Sequence, residues 1–448
     1  MDEIAEIKNS DYERSKQIIE IVKEFVIARR LIVYGGLALD RALRLKGSKI
    51  YRDGELMDID VYTDDSVKNA YDLVDILRAH GYRKVAAIRA IHVQTMKVRV
   101  DFINVCDISY LPSAYYSKLP TLDYNGLRIL HPHVQFMDVH FSFSFPYGEE
   151  PFENIFNRWD KDLKRYNMTM ELYPIEAKPY SGKWIEKTFD FEIPESIKIY
   201  AVHGFTALAF IRYAYSKVLE IKAGSAGGAN SGNTALGFSN NKIKYSVPEE
   251  FADELPCITT PYPLDIEQHY YPTYSYQTTP TLNIYSTEHS QLSISSMTIN
   301  KKTFLISSIH YVMFYFLNRY FREQNKTFLE IYKSLYDMIL HVCELMNTSA
   351  TDNTSFIKSP FSLSVNVMSS SYGDSRDNSS SAYIVKIAKS IRATQDWKSY
   401  PDYIDKRVET ALKNIPNEYY PDDARDGEPQ VVAVQPALFD YSSSKYFT

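Results

Sequence analysis

The sequence predicts an α/β (α+β) fold, and three observations predict it. Short apolar strands alternate with amphipathic helical stretches as far as Val105. A glycine pair, Gly35–Gly36, breaks the first strand just before a helical stretch. A later strand carries two acids two residues apart, Asp58 and Asp60, and that spacing sends both side chains to one face.

Each element follows from its pattern. Ile18, Ile19, Val22, Phe25 and Val26 fall at helical spacing within Asp11–Arg30. Leu31–Tyr34 is a short apolar strand, and Leu37–Leu45 returns to helical spacing. Met57–Tyr62 reads as a strand, Val67–His80 as a helix stopped by Gly81, and Val85–Ile91 and Val98–Val105 as further strands. Phe152–Tyr166 is a charged helix, and Ile199–Ile221 is an apolar helix or a strand running into one. Lys222–Asn241 is rich in Gly, Ser, Ala and Asn and reads as a flexible loop. Tyr262–Pro280 is dense in Tyr, Pro and Thr and reads as irregular. Thr303–Asn347 is mostly helical, and Ser379–Asn414 ends in a helix. Pro416, Pro421, Pro429 and Pro436 among acids point to a loosely structured tail. The expected organisation is a catalytic domain over 1–185, a second domain over 186–415 containing the loop 222–241, and a tail over 416–448.

Composition narrows the class. With 448 residues, 45% hydrophobic and 24% charged, the chain has room for two or three globular domains. The most apolar stretch, near Phe304–Phe321, is interrupted by Ser307, Ser308, His310, Asn318 and Arg319, so it reads as a buried helix and not a membrane span. Met1–Lys8 carries Asp2, Glu3 and Glu6 and no apolar run, so no secretory leader is expected. Cys106, Cys257 and Cys343 are far apart and form no CxxC pair, which argues against a disulfide framework or a zinc site. The net charge of −6 means that a polyanion would have to meet a local basic surface.

The chemistry sits in three places. In Tyr34-Gly35-Gly36-Leu37 a strand turns into a helix through two glycines, which lets backbone N–H groups and a helix N-terminus meet a phosphate. In Asp58-Ile59-Asp60-Val61 the acids share a face while Ile59 and Val61 pack inward. In Arg99-Val100-Asp101-Phe102-Ile103, strand alternation would add Asp101 to the polar face. Converging carboxylates repel and call for cations, and Mg²⁺ (or Mn²⁺) prefers oxygen ligands while keeping positions for phosphate. Asp58, Asp60 and Asp101 are therefore the expected catalytic residues and metal ligands, with Gly35 and Gly36 at the nucleotide.

Other residues have two readings each. Lys97 and Arg99 could contact the nucleotide's phosphates or form structural ion pairs. His92 lies between apolar residues and reads first as a core histidine. His131 and His133 flank Pro132 with no accompanying acid or Cys cluster, so metal binding there is not expected. Lys161, Lys164 and Arg165 make a candidate basic stripe for RNA, or a solvated helix face diluted by Asp160 and Asp162.

The glycine pair, the DxD strand and a third strand acid resemble the nucleotidyltransferase superfamily that includes DNA polymerase beta. The runs LIVYGGLALDRALRLKGSKIY, MDIDVY, AIRAIHVQTMKVRVDFINVCDISYLP, HPHVQF and KDLKRYN resemble more closely the poly(A) polymerase catalytic subunits of large cytoplasmic DNA viruses, of the giant amoeba virus and African swine fever virus type. The long gap between Gly36 and Asp58 is shared with that viral group. The resemblance implies ATP as donor, an mRNA 3′ end as acceptor, Mg²⁺ as cofactor, a homodimer, no membrane partner, and residence in the host cytoplasm (the viral factory) and the virion. Its motifs run through His203-Gly204-Phe205 and fade beyond.

One internal echo adds to this. Ile199–Leu208 repeats the strand, glycine turn and helix of Ile32–Leu43, and Asn283-Ile284-Tyr285-Ser286 echoes Asp60-Val61-Tyr62-Thr63. A degenerate second nucleotidyltransferase-like domain is expected, with Thr281 and Asn283 where Asp58 and Asp60 stand; poxvirus relatives carry such a copy. The expected function is template-independent poly(A) addition by two-metal catalysis. The alternatives are a nucleotidyltransferase of the same superfamily with a protein or small-molecule acceptor, and a catalytically silent RNA-binding subunit.

Overall fold

The computed structural model describes residues 2–90, 95–144, 162, 164–189, 192–197, 200–222, 236–239, 242–260, 274–287, 294–299 and 302–347. His92, Lys161, most of the Phe152–Tyr166 segment, the helix expected over Ser379–Asn414 and the 416–448 tail lie outside the described residues. Two compact units emerge. The first runs to Gln135 and takes in Glu171–Tyr173; the second holds the described residues of Phe136–Met170 and those from Pro174 onward.

The first unit contains α1 (Asp2–Arg29), β1 (Ile32–Val33), α2 (Gly35–Arg44), β2 (Ile59–Thr63), α3 (Ser66–Ala79), β3 (Val85–Arg89), β4 (Thr95–Val100), β5 (Ile103–Tyr110), α4 (Ser113–Tyr116), β6 (Thr121–Tyr124), β7 (Leu127–Leu130) and the start of α5 (Pro132–Ser144). Its sheet has the order β3-β4-β5-β2-β1-β7-β6. One face is apolar: Ile59, Val61, Val98, Val100, Cys106 and Ile108 form a core with Val22, Phe25 and Val26 of α1 and Leu73, Val74 and Leu77 of α3. Each such side chain contributes about 1.5–3 kcal/mol of burial, so the helices cover this face and leave the other for polar groups. Asp65 caps α3 by accepting from the Lys68 N–H, and Gly81 follows the helix with φ +89°.

The second unit contains β8 (Trp184–Phe189), β9 (Ala201–His203), α6 (Gly204–Lys222), β10 (Leu236–Ser239), β11 (Lys242–Pro248), β12 (Cys257–Thr260), β13 (Tyr274–Thr278), β14 (Asn283–Thr287), β15 (Ile294–Ile299), β16 (Lys302–Ser307), α7 (Ile309–Glu323) and α8 (Lys326–Asn347). Three expectations change here. Leu236–Ser239, placed in the flexible loop, is a strand paired with β11, because Leu236 and Phe238 alternate with small residues. Tyr274–Thr278, read as irregular, is a strand paired with β14. Lys302–Ser307 is a strand preceding the helix, which Ser308 caps by accepting from the Tyr311 N–H.

The larger sheet of this unit, β13-β14-β12-β9-β16-β15, repeats the first one. β1 is antiparallel to β2 and parallel to β7; β9 is antiparallel to β12 and parallel to β16. β2 is parallel to β5 as β12 is to β14, and β4 and β6 pair antiparallel to β5 and β7 as β13 and β15 do to β14 and β16. The helix starts match too: Gly35 has φ +70° and Gly204 has φ +57°. The second unit is therefore a topological copy of the first. Register corrects the residue assignment within it. Val33 pairs with Val61 and Val202 with Ile258, two residues before each glycine, so Cys257 stands where Asp60 stands and Leu255 where Asp58 stands. Asn283 pairs with Cys257 as Asp107 pairs with Asp60, so Asn283 is the counterpart of Asp107 and not of Asp60. The short echo around Asn283 had matched β14 to the wrong strand, since Ile-Tyr-Ser and Val-Tyr-Thr are generic strand sequence.

Gly204 gives a prediction. A Cβ there would lie 3.0 Å from Cys257 Sγ at a backbone angle that side chains avoid. Gly204→Ala is expected to lower unfolding free energy by about 2–4 kcal/mol in urea denaturation. A change below about 0.5 kcal/mol would contradict the packing described.

Candidate active site

The polar face of the first sheet collects charges in one row. Asp60 of β2 and Asp107 of β5 are direct partners in a parallel pair, so their side chains leave the same face, on strands about 4.8 Å apart. Lys97 of β4 is the next member of the row and donates from Nζ to Asp107 Oδ2 at 3.0 Å. Asn104 donates to Asp107 Oδ1 at 2.8 Å and reaches Asp58 Oδ2 at 3.4 Å. The carboxylates brought together are thus Asp58, Asp60 and Asp107.

Asp101 is not among them. The expected strand Val98–Val105 is two strands joined by a tight turn, in which Asp101 and Phe102 have φ +49° and +68°. The Asp101 N–H donates to the Lys84 carbonyl at 3.2 Å, and its carboxylate pairs with Arg14. A bulge compounds the shift. Val98 pairs with Cys106 and Arg99 with Asn104, so Val105 is the extra residue, and Val105 and Cys106 are both buried. Asn104 and Asp107, three apart, therefore share the polar face. Simple alternation from Asp101 misses this, and the sequence signal for Asp107 was an acid between the apolar Cys106 and Ile108. Arg99 follows Lys97 on the same side of β4, opposite Asn104.

The glycine turn closes on the same row. The Tyr34 N–H donates to the Asp60 carbonyl at 2.9 Å. A Cβ on Gly35 would stand 2.9 Å from Asp60 Oδ2, so only glycine leaves this space open. Tyr34 stacks on Tyr62 at 3.9 Å and shares a hydrogen bond with Ser109, so its hydroxyl does not cap α2. The first amides of α2, including that of Gly36, are the groups a phosphate would use. Burial pushes the Asp60 carboxyl up to about 7, and the Asp58 and Asp107 carboxylates add to the rise, with Lys97 opposing it. Among the described residues no three His, Cys, Asp or Glu side chains close around a single cation position. The donor set nevertheless fits a hard divalent cation: it is all oxygen, negative, and under-compensated at Asp60.

A sequence profile of the family described as poly(A) polymerase catalytic subunit matches residues 20–149. A protein named as a poly(A) polymerase catalytic subunit in African swine fever virus (isolate Pig/Kenya/KEN-50/1950) is 32% identical, covering 99% of this chain and 94% of its own length. The chain belongs to the viral poly(A) polymerase catalytic subunits. A member from Acanthamoeba polyphaga mimivirus is 31% identical over 44% of this chain and 33% of its own. The crystal structure of the Megavirus polyadenylate synthase superimposes with a TM-score of 0.53 at 18% identity, covering 77% of this chain and 72% of that one, and shows the same fold.

The long gap between glycine pair and DxD in this poly(A) polymerase subunit has its own anchor, which sequence reading passed over. Asp40, buried on α2, accepts from the Ile50 and Tyr51 N–H groups at 2.9 and 3.0 Å and from Arg44 Nε at 2.6 Å. Arg44 also holds Asp53 and the Tyr51 carbonyl, and the Tyr12 hydroxyl donates to the Gly54 carbonyl. The loop that delivers Asp58 is thereby tied to the helix that starts at Gly35. The surroundings of two other sequence features are also defined. Arg165 is mostly buried and paired with Asp162 at 3.8 Å, which leaves Lys164 as the exposed described member of the proposed basic stripe. His131 is pushed down to about 4 by burial and by His133, whose Nε2 faces the Tyr173 carbonyl at 3.0 Å.

Burial raises the Asp40 pKa, but the Tyr51 N–H, Arg44 and the Ile50 N–H outweigh it, and the net value is lowered. A lowered folded value means a stabilising contribution that is complete above the unfolded pKa of about 3.9 and fades as pH falls through the folded one. Asp40→Ala is expected to cost about 3 kcal/mol at pH 7, with the gap from wild type narrowing in melts taken toward pH 2. A gap constant over that range would contradict the assignment.

Proposed function

We propose that this chain is a template-independent polynucleotide adenylyltransferase that extends mRNA 3′ ends from ATP, with Asp58, Asp60 and Asp107 holding two Mg²⁺ (or Mn²⁺) ions. The observation that carries the reading is the register of β2 and β5, which sets Asp107 beside Asp60 on the face that Gly35 leaves open. The family membership supports the choice of ATP and RNA as substrates.

Bound divalent cations would supply charge neutralisation at the triphosphate and a lowered pKa for the attacking 3′-hydroxyl. The protein's own groups do the positioning. Gly35 and Gly36 let the triphosphate approach the start of α2, whose amides point at it. Lys97 and Asn104 fix the rotamer of Asp107 by holding one oxygen each. Asp58 and Asp60 leave the start of β2 on either side of Ile59, which anchors them in the core. In-line attack then depends on orientation more than on proton transfer by any side chain. In the second unit Leu255, Cys257 and Asn283 stand at the matching positions, and the Cys257 thiol is pushed up to about 12 by burial. That set cannot hold Mg²⁺, so we assign one catalytic centre per chain. The homodimer is carried as part of the proposal on the strength of the family resemblance.

Asp58→Ala, Asp60→Ala and Asp107→Ala are each expected to reduce extension of a labelled RNA primer with ATP and Mg²⁺ by at least about 100-fold. Asp101→Ala is expected to keep more than about a tenth of wild-type extension, since losing an exposed ion pair costs under about 1 kcal/mol. Extension by Asp107→Ala above a few per cent of wild type, or loss with Asp101→Ala alone, would return the third ligand to Asp101. A protein that adenylates no RNA but labels a protein or small molecule would favour the other-acceptor reading. The mass in solution tests the dimer.

A further inference from the structure

The turn that removes Asp101 from the carboxylate row has an unusual composition. Asp101 and Phe102 both adopt the left-handed region, which a bulky aromatic rarely does. A glycine or asparagine would satisfy this turn at less cost. Phe102 and Ile103 are 41% and 65% exposed, so the strain is not repaid by burying the ring. A strained, exposed aromatic points to use at that position.

Its place in the fold says what that use is. β5 begins at Ile103, and its Cys106 is the partner of Ile59, the first residue of β2. The turn therefore projects beyond the end of the sheet at which Asp58, Asp60 and the Gly35 turn lie. Phe102 is five residues along the chain from Asp107, at most roughly 16 Å at about 3.3 Å per residue. Cations gather here although the chain is acidic overall. Lys84 Nζ lies 5.6 Å over one face of the Phe102 ring, Arg83 beside it is exposed, and Arg14 neutralises Asp101. An exposed aromatic with cations beside it is what a single strand of nucleic acid is held by, through base stacking and phosphate pairing.

The second unit serves as an internal control. Its matching hairpin, β13–β14, turns through Thr279, Pro280 and Thr281, and Leu282 is fully buried. The copy without a carboxylate row has no exposed aromatic at this turn.

We propose that the β4–β5 turn is an acceptor-strand contact, with Phe102 stacking on a base of the RNA upstream of its 3′-terminal nucleotide and Lys84 pairing with the adjoining phosphate. The proposal rests on the RNA-acceptor reading above. Steady-state extension of a short oligoadenylate primer tests it with Phe102→Gly and Phe102→Trp. Phe102→Gly is expected to raise the KM for primer about tenfold, to leave the KM for ATP within about twofold, and to raise Tm by about 2–4 °C through relief of the turn. Phe102→Trp is expected to restore the primer KM. An unchanged primer KM in Phe102→Gly overturns the proposal, as does an equal rise in both KM values. A change in the protein's mass in solution with primer KM unchanged also overturns it, by making the turn a protein contact. Wild-type protein that extends no RNA would sink the acceptor reading itself, a result distinct from all of these.

Discussion

Placing carboxylates side by side on a sheet is the constraint that organises this protein. Asp60 and Asp107 are nearest neighbours across a parallel strand pair, with Asp58 at the edge and a glycine turn closed over them. Such a row costs free energy, visible in the upward push on Asp60. Everything nearby serves to hold the row against its own repulsion. Ile59, Val61, Cys106 and Ile108 bury the reverse face. Lys97 and Asn104 grip Asp107. Asp40 and Arg44 strap down the loop that leads into Asp58.

The second unit shows what the same topology looks like once that constraint is lifted. Its strands pair in the same order and sense, and its glycine turn keeps a positive φ. Cys257 and Asn283 occupy the carboxylate positions. With no charge to hold, the place of the Lys97–Asp107 bond is taken by a neutral one, from Thr278 Oγ1 to Asn283 Oδ1 at 2.9 Å. Arg319 is tied instead to Glu254, Glu323 and Tyr315, and Tyr315 packs within 3.4 Å of where a Gly204 side chain would be. A packed core with its buried cation paired has replaced the open cradle, in keeping with the cost of leaving a buried charge without a partner.

The amino-acid sequence by itself determined the first unit's order of helices and strands from α1 to β3, the glycine turn, and Asp58 and Asp60. Those depend on local period and on residue types whose backbone freedom or charge is unambiguous. It also exposed the duplication, through the strand, glycine and helix around His203–Gly204. Only the tertiary structure decided which acid completes the row. A two-residue turn at Asp101–Phe102 and a bulge at Val105 reset the alternation between them, and neither has a composition that announces it. Strand pairing likewise decided that Asn283 matches Asp107. Which strand lies beside which is set by long-range packing of the whole sheet, and a period of two along one strand carries no record of its neighbours.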